Sequence, residues 1–169
     1  NKDMEINVWD RIIAFEGRMH EFIKAAYDYQ DNTFHSHPGY YIDYFEMRLA
    51  QLQVLHNLHY EIKKIRKMPK QALVIADYIM YMADYVVEMN IPDQQIEKLE
   101  EISEQMKQEE LPKTREEFEG RALLYHILMD LEEFLVYKKR FVNGLDEKKL
   151  RIYWKQEMEQ KDSANELQK

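Results

Sequence analysis

The feature that most limits the fold of this chain is the scarcity of turn-forming residues between long runs of helical pattern. Only 4 glycines and 4 prolines occur in 169 residues. Pro38, Pro69, Pro92 and Pro112 all fall between such runs, where a residue that cannot continue a helix interior is expected. The length suits one domain with one substantial core. Long helices joined by short connections pack antiparallel, so the sequence predicts an all-α fold, an elongated up-and-down helical bundle of five or six helices.

Apolar residues spaced three and four apart indicate the individual amphipathic helices. The predicted helices cover residues 3–30, Pro38 to the basic stretch before Pro69, residues 70–89, residues 92–109, Thr114 to about Asn143, and a last helix from Asp146. The helix at 70–89 is apolar almost all round, apart from Asp77, Asp84 and Glu88, which we call the acidic strip, and we expect it to be the most buried. We also expect one domain over residues 1–160 and a polar, frayed tail over 161–169.

The helix that follows Thr114 carries clear signals at both ends. Thr114 and Glu117 form a T-x-x-E capping box, in which both side chains bind backbone N–H groups of the first turn. The cations at positions 138–140 lie in the last turn, where they complement the negative end of the helix dipole. Asn143 and the glycine after it form a stop signal.

Composition excludes several classes of function. The chain has no cysteine, so disulfides, thiol chemistry and zinc–thiolate sites are excluded. The net charge of −8 argues against a nucleic-acid partner, which would need a basic surface. No apolar run reaches the length of a membrane span. Because the chain begins without methionine and leads straight into a helix, we expect it to be a piece of a longer protein. We also expect that it binds no cofactor.

Histidines supply the alternative, enzymatic hypothesis. His56 and His59 lie three residues apart on one predicted helix, so they could converge on one metal ion if the acidic strip, or Glu16 and His20, supplied further ligands. This would make the chain a free-standing, metal-dependent helical-bundle enzyme. The sequence lacks H-E-x-x-H and paired E-x-x-H motifs, which argues against it. His35 and His37 form a second, equally incomplete candidate in a predicted loop.

Tyrosine and methionine are abundant and leave two interpretations open. The stretches YYIDYF and DYIMYMADY could line a groove for an aromatic ligand or a partner helix, or they could simply fill an aromatic core. Arg121 and Tyr125, four apart on a helix, are candidates for binding a carboxylate and a ring; a structural ion pair and a core tyrosine are the alternative. His126 and Asp130 are predicted to pair on the helix surface.

Residues 111–141, LPKTREEFEGRALLYHILMDLEEFLVYKKRF, resemble the C-terminal soluble domain of the bacterial putative aromatic acid exporter family. The resemblance is carried by Leu111-Pro112, Thr114-Arg115, Glu117-Phe118, Arg121-Ala122, Leu124-Tyr125, Asp130, Glu132 and Phe134. It implies a non-enzymatic domain at the cytoplasmic side of the bacterial cell membrane, with an assembly, regulatory or ligand-sensing role. The implied partners are the membrane-spanning part of the same protein, further copies in a homo-oligomer and an aromatic carboxylate.

Overall fold

The computed structural model describes residues 38–64, 69–145 and Trp154, together with nine residues between positions 10 and 24. This part of the chain is all-α and contains no strand. Its four helices are α1 (Pro38–Lys63), α2 (Ala72–Ala83), α3 (Asp93–Lys107) and α4 (Arg115–Asn143). The nine described residues between 10 and 24 are also helical, and we call them the N-terminal segment.

Helices α1 and α4 form the longest contact and run antiparallel. The ring of Tyr44 lies 5.6 Å from that of Phe141. Two turns further along α1, the Gln51 side chain donates to the backbone carbonyl of Phe134 at 2.7 Å. Residues nearer the C-terminus of α1 therefore contact residues nearer the N-terminus of α4.

Helix α3 lies antiparallel to both α2 and α4. Tyr78 of α2 donates to the carbonyl of Gln95 at 2.7 Å near the start of α3. Gln71, before α2, bonds to Glu109, after the end of α3. On the other side, Lys139 near the end of α4 pairs with Asp93 at the start of α3, at 3.0 Å. Successive described helices thus alternate in direction.

The predicted limits of three helices agree with the structure. Helix α1 begins at Pro38, and α3 lies within the predicted range. Thr114 caps α4, because its Oγ1 accepts from the backbone N–H of Glu117 at 3.1 Å. The Glu117 carboxylate reaches back to the N–H of Lys113 at 2.8 Å. Helix α4 ends at Asn143 as expected, although Gly144 keeps a right-handed φ of −74°.

Helix α2 differs from its prediction. It was expected to span residues 70–89, but it ends at Ala83. The chain leaves the α-helix there through tighter turns, in which the backbone N–H groups of Asp84, Tyr85 and Val86 donate to the carbonyls three residues before them. Ile79 is fully buried as expected, but Leu73 and Val74 are exposed, so α2 is not buried on all sides.

Two clusters of buried side chains form the core. The main cluster joins all four helices and includes Leu55, Leu58, Ile79, Leu99 and Leu131. The aromatic cluster lies at the opposite end of the α1–α4 pair and consists of Tyr40, Tyr41, Tyr44, Phe45, Met47, Phe141, Val142 and Trp154. Most of the first predicted helix, the helix predicted from Asp146, the predicted tail at 161–169, His35 and His37 lie outside the described residues.

Candidate functional site at the turn between α2 and α3

Two long cationic side chains are buried inside this domain. Arg48 on α1 is 1% exposed and Lys138 on α4 is 4% exposed. Such side chains are almost never fully buried without partners, because removing a charge from water is costly. The antiparallel packing of α1 on α4 places both cations against the residues that connect α2 to α3.

Both cations converge on one backbone carbonyl of this connection. Arg48 Nη2 donates to the carbonyl oxygen of Val87 at 3.0 Å, and Lys138 Nζ donates to the same oxygen at 2.9 Å. Lys138 Nζ also donates to the carbonyl of Glu88. A carbonyl oxygen has two lone pairs and can accept both donors. We call this arrangement of Arg48, Lys138 and the two carbonyls the carbonyl clamp.

Neighbours on α1 fix the orientation of the arginine. Its Nε donates to the hydroxyl of Tyr44 at 3.1 Å, and its Nη1 donates to Gln51 Oε1 at 2.7 Å. The Gln51 amide in turn donates to the carbonyl of Phe134. Arg48 therefore links α1, α4 and the α2–α3 connection through directional bonds.

The lysine lies among aromatic rings. Lys138 Nζ is 5.8 Å from the ring centroid of Tyr44, 6.0 Å from that of Phe141 and 5.7 Å from that of Trp154. At such distances the negative face of an aromatic ring attracts a cation. The aromatic cluster therefore stabilises the charge that binds the connection.

Tyrosine hydroxyls extend the polar network. Trp154 Nε1 donates to Tyr40 Oη at 3.1 Å, and Tyr40 Oη donates to a carboxylate oxygen of Glu88 at 2.7 Å. Burial, followed by the charge of Glu88, raises the pKa of Tyr40. Burial raises the pKa of Tyr44 to about 12, although Arg48 acts in the opposite direction. Both hydroxyls therefore stay protonated at neutral pH and can act as donors.

A small cleft adjoins the clamp. Arg48, Gln51, Asn90, Gln95 and Lys138 provide its polar lining. The cleft has room for roughly one water molecule. The cleft is therefore too small for an aromatic acid in this conformation.

The structure places the predicted ligand-binding pair elsewhere, between the ends of α3 and α4. Arg121 Nη1 donates to the carbonyl of Glu110 in the α3–α4 connection. Tyr125 is partly buried and packs against the main cluster. The two side chains lie on one helix face, as the spacing indicates.

The predicted histidine pair does not lie in a described metal-ligand set. His56 is exposed and His59 is partly buried, and their ring centroids lie 5.4 and 6.3 Å from that of Tyr60. Among the residues that the structure describes, no three His, Asp or Glu side chains are grouped to hold a metal ion.

His126 pairs with Asp130 as predicted and has a second acidic neighbour. Its Nδ1 lies 3.5 Å from Asp130 Oδ2 and 3.9 Å from Glu61 Oε2 of α1. Burial is the main cause that raises the pKa of the Asp130 carboxyl, and His126 partly opposes it.

The clamp residues were missed by the sequence interpretation. Leu49 of α1 is about half exposed, although it is apolar. The buried face instead follows alternating steps of four and three through Tyr44, Arg48, Gln51, Leu55, Leu58 and Ile62. Arg and Gln at regular core spacing were the available signal. Lys138, interpreted as a helix-dipole cation, turns inward instead.

The fold and this network define an all-α domain in which buried cations hold the connection between two helices. The family model described as "Putative aromatic acid exporter C-terminal domain" matches residues 1–139, and the chain belongs to this family.

The chain is also similar to two known proteins. "Uncharacterized protein YqjA" of Bacillus subtilis (strain 168) is 32% identical over 98 residues, which cover 58% of this chain and 30% of that protein. A solved structure described as a putative membrane protein from Clostridium difficile 630 superimposes with a TM-score of 0.59 at 23% identity, covering 83% of this chain and 93% of the other. At that identity the likeness concerns the fold alone. Within the described residues, no helix combines the length and apolar character needed to cross a membrane.

Proposed function

We propose that this chain is the non-enzymatic, cytoplasmic C-terminal domain of an aromatic acid exporter, and that it assembles or regulates the membrane-spanning part of the same protein. The observation that carries the proposal is the family match over residues 1–139. The carbonyl clamp is consistent with it, because the buried polar groups are used to fix a connection between helices.

We propose the same architecture for the whole domain that the sequence predicts. Residues 1–160 form one elongated up-and-down bundle of five or six helices, followed by a polar tail over 161–169. The alternating directions of the four described helices support this arrangement, as does the helical N-terminal segment.

The outer surface of α4 and the connection before it are proposed as a contact surface for the membrane-spanning part or a second copy. Leu111, Phe118 and Met129 are 84%, 64% and 64% exposed. Exposed apolar side chains of this size are typical of protein–protein contacts when they lie close together.

An aromatic carboxylate ligand is proposed at Arg121 and Tyr125. Phe118, Arg121 and Tyr125 lie at helical spacing on α4. A guanidinium binds a carboxylate through paired N–H donors, and the rings could stack on an aromatic acid. Calorimetric titration with benzoate and 4-hydroxybenzoate tests this; binding by the chain that is lost in Arg121→Ala but kept in Arg115→Ala would support it, and no heat of binding would contradict it.

Deletion is the decisive experiment for the main proposal. Residues 1–169 are removed from the full-length protein, and membrane insertion is verified. Efflux of a panel of aromatic acids is then measured, and oligomers are quantified by cross-linking. We expect a loss of efflux, of oligomers, or of both. Phe118→Ser, with Glu119→Ser as the exposed control, asks whether the α4 surface is responsible. Unchanged efflux and unchanged oligomers after deletion would remove the case for an assembling or regulatory role.

The enzymatic alternative is tested by elemental analysis. Stoichiometric zinc, iron or manganese in protein purified without added metal, lost in a His56→Ala/His59→Ala variant, would favour a metal-dependent enzyme over the proposal.

A further inference from the structure

Two arginines of the N-terminal segment bind two members of the acidic strip. Arg11 Nη1 contacts Asp77 Oδ1, and Arg18 Nη1 donates to Asp84 Oδ1 at 3.1 Å. Both pairs join residues that are 66 positions apart in the chain. A constant separation means that the contacts advance in the same direction on both elements, so the N-terminal segment runs parallel to α2.

The spacing makes this contact regular. Each step of seven residues corresponds to about two helical turns, so both arginines project from one face of a helix. Asp77 lies on α2, and Asp84 occupies the position just after its last residue, Ala83. The two ion pairs therefore form a seam that extends along α2 to the point where the chain turns towards the carbonyl clamp.

Solvent reaches both pairs. The side chains of Asp77 and Asp84 are 72% and 71% exposed, and those of Arg11 and Arg18 are 30% and 51% exposed. Ion pairs of this kind are individually weak and are screened by salt. Two such pairs can specify where a helix binds and still allow it to dissociate.

We propose that Asp77 of α2 and Asp84, just beyond its end, form a docking surface for the N-terminal segment of the same chain, and that the segment docks reversibly through the Arg11–Asp77 and Arg18–Asp84 pairs. The segment acts as a strap whose occupancy depends on ionic strength. This proposal does not require the proposed function, since it concerns the isolated chain.

The absence of cysteine allows clean labelling. Spin labels attached at Ala14→Cys in the segment and Glu101→Cys on α3, both exposed positions, report the docked distance by double electron–electron resonance. We expect one narrow distance at low salt. In Asp77→Lys/Asp84→Lys the ratio of docked to undocked molecules falls about fivefold or more, because two attractive pairs become repulsive. Addition of 1 M NaCl to the original sequence, where the Debye length is about 3 Å, shifts the distribution in the same direction.

Two further variants separate charge pairing from other effects. Exchange of all four charges, Arg11→Glu/Arg18→Glu/Asp77→Lys/Asp84→Lys, restores the docked distance. Glu97→Lys/Glu100→Lys changes the net charge equally at exposed positions of α3 and leaves the distance unchanged. A docked distance that survives charge reversal would overturn the proposal. So would a docked-range distance between singly labelled copies in a mixture, because the segment would then dock on another chain.

Discussion

The two ends of the α1–α4 pair are built from different kinds of interaction. At the end that contains Leu55, Leu58 and Leu131, the core is mainly aliphatic and joins all four described helices. At the other end, Tyr40 and Tyr44 belong to an aromatic cluster that surrounds a network of charged and hydroxyl groups. Burial of apolar area is non-directional, whereas each bond of the network requires a particular partner in a particular place.

This difference teaches where the domain tolerates change. A core of branched aliphatic side chains accepts swaps that conserve volume. A buried polar network does not, because removing one member leaves its partners buried and without the bond they made. The carbonyl clamp therefore specifies the path of the chain between α2 and α3, while the main cluster contains most of the buried apolar side chains.

The strongest test compares the same new side chain at both ends. Arg48→Met should lower the free energy of unfolding by about 2 to 5 kcal/mol, since Gln51 Oε1 and the Tyr44 hydroxyl lose their bond to the guanidinium, and each such loss at a buried polar group costs about 1 to 3 kcal/mol. Leu55→Met, also at a buried position of α1, should cost less than about 1.5 kcal/mol. Denaturant unfolding with unchanged slope measures both.

Similar losses for the two methionine variants would break the comparison. They would mean that the network contributes no more to stability than an aliphatic contact of the same volume. The single variant Lys138→Met then shows whether the other cation compensates, because both side chains bind the Val87 carbonyl.

A smaller effect is expected from one hydroxyl of the network. Tyr40→Phe should destabilise the domain by about 1 to 3 kcal/mol, because both Trp154 Nε1 and the Glu88 carboxylate lose their bond to this hydroxyl. Tyr137→Phe is the matched control, since its hydroxyl bonds to Glu133 in an exposed position. Its cost should stay within about 0.5 kcal/mol. Equal losses of stability for the two variants in thermal unfolding would show that burial of the hydroxyl does not determine its contribution to stability.

The smallest expected effect is a change in pH dependence at the aliphatic end. Burial raises the pKa of Asp130 above its ordinary value of 3.8, with Glu61 and Glu133 adding to the rise and His126 opposing it. The folded state therefore binds more protons than the unfolded state just above pH 3.8, and stability falls as the pH rises through that range. Asp130→Asn should flatten this fall, while Met129→Asn, its exposed neighbour, should keep it. An unchanged pH profile in Asp130→Asn would contradict the assignment.

The sequence predicted the elements that depend on local signals. Apolar spacing located α3, Pro38 marked the start of α1, and the T-x-x-E motif located the cap of α4 at Thr114. The end of α2 could not be found in this way. No proline or glycine lies between Ala83 and Asn90, so no local signal marks this end. Beyond it, side chains of α1 and α4 donate to the Val87 carbonyl, and these contacts depend on tertiary structure.

The clamp was less predictable for a related reason. Arg48 and Gln51 sit at core spacing on α1, but polar residues at such positions are usually assigned to the surface. Lys138 lies among the cations that a helix dipole favours, so its sequence position already had a sufficient explanation. Only the packing of α1 against α4 shows that these side chains share an acceptor.

Trp154 determines how much of the chain must be kept when this domain is studied alone. The family match ends at residue 139, whereas Phe141, Val142 and Trp154 are buried in the aromatic cluster. A protein truncated at the family boundary would expose the rings of Tyr40 and Tyr44 and remove the indole that donates to Tyr40. Position 154 should therefore be treated as an internal residue of the folding unit in expression trials, limited proteolysis and homologue comparisons. An earlier cut would leave the α1–α4 pair with exposed aromatic rings that favour aggregation.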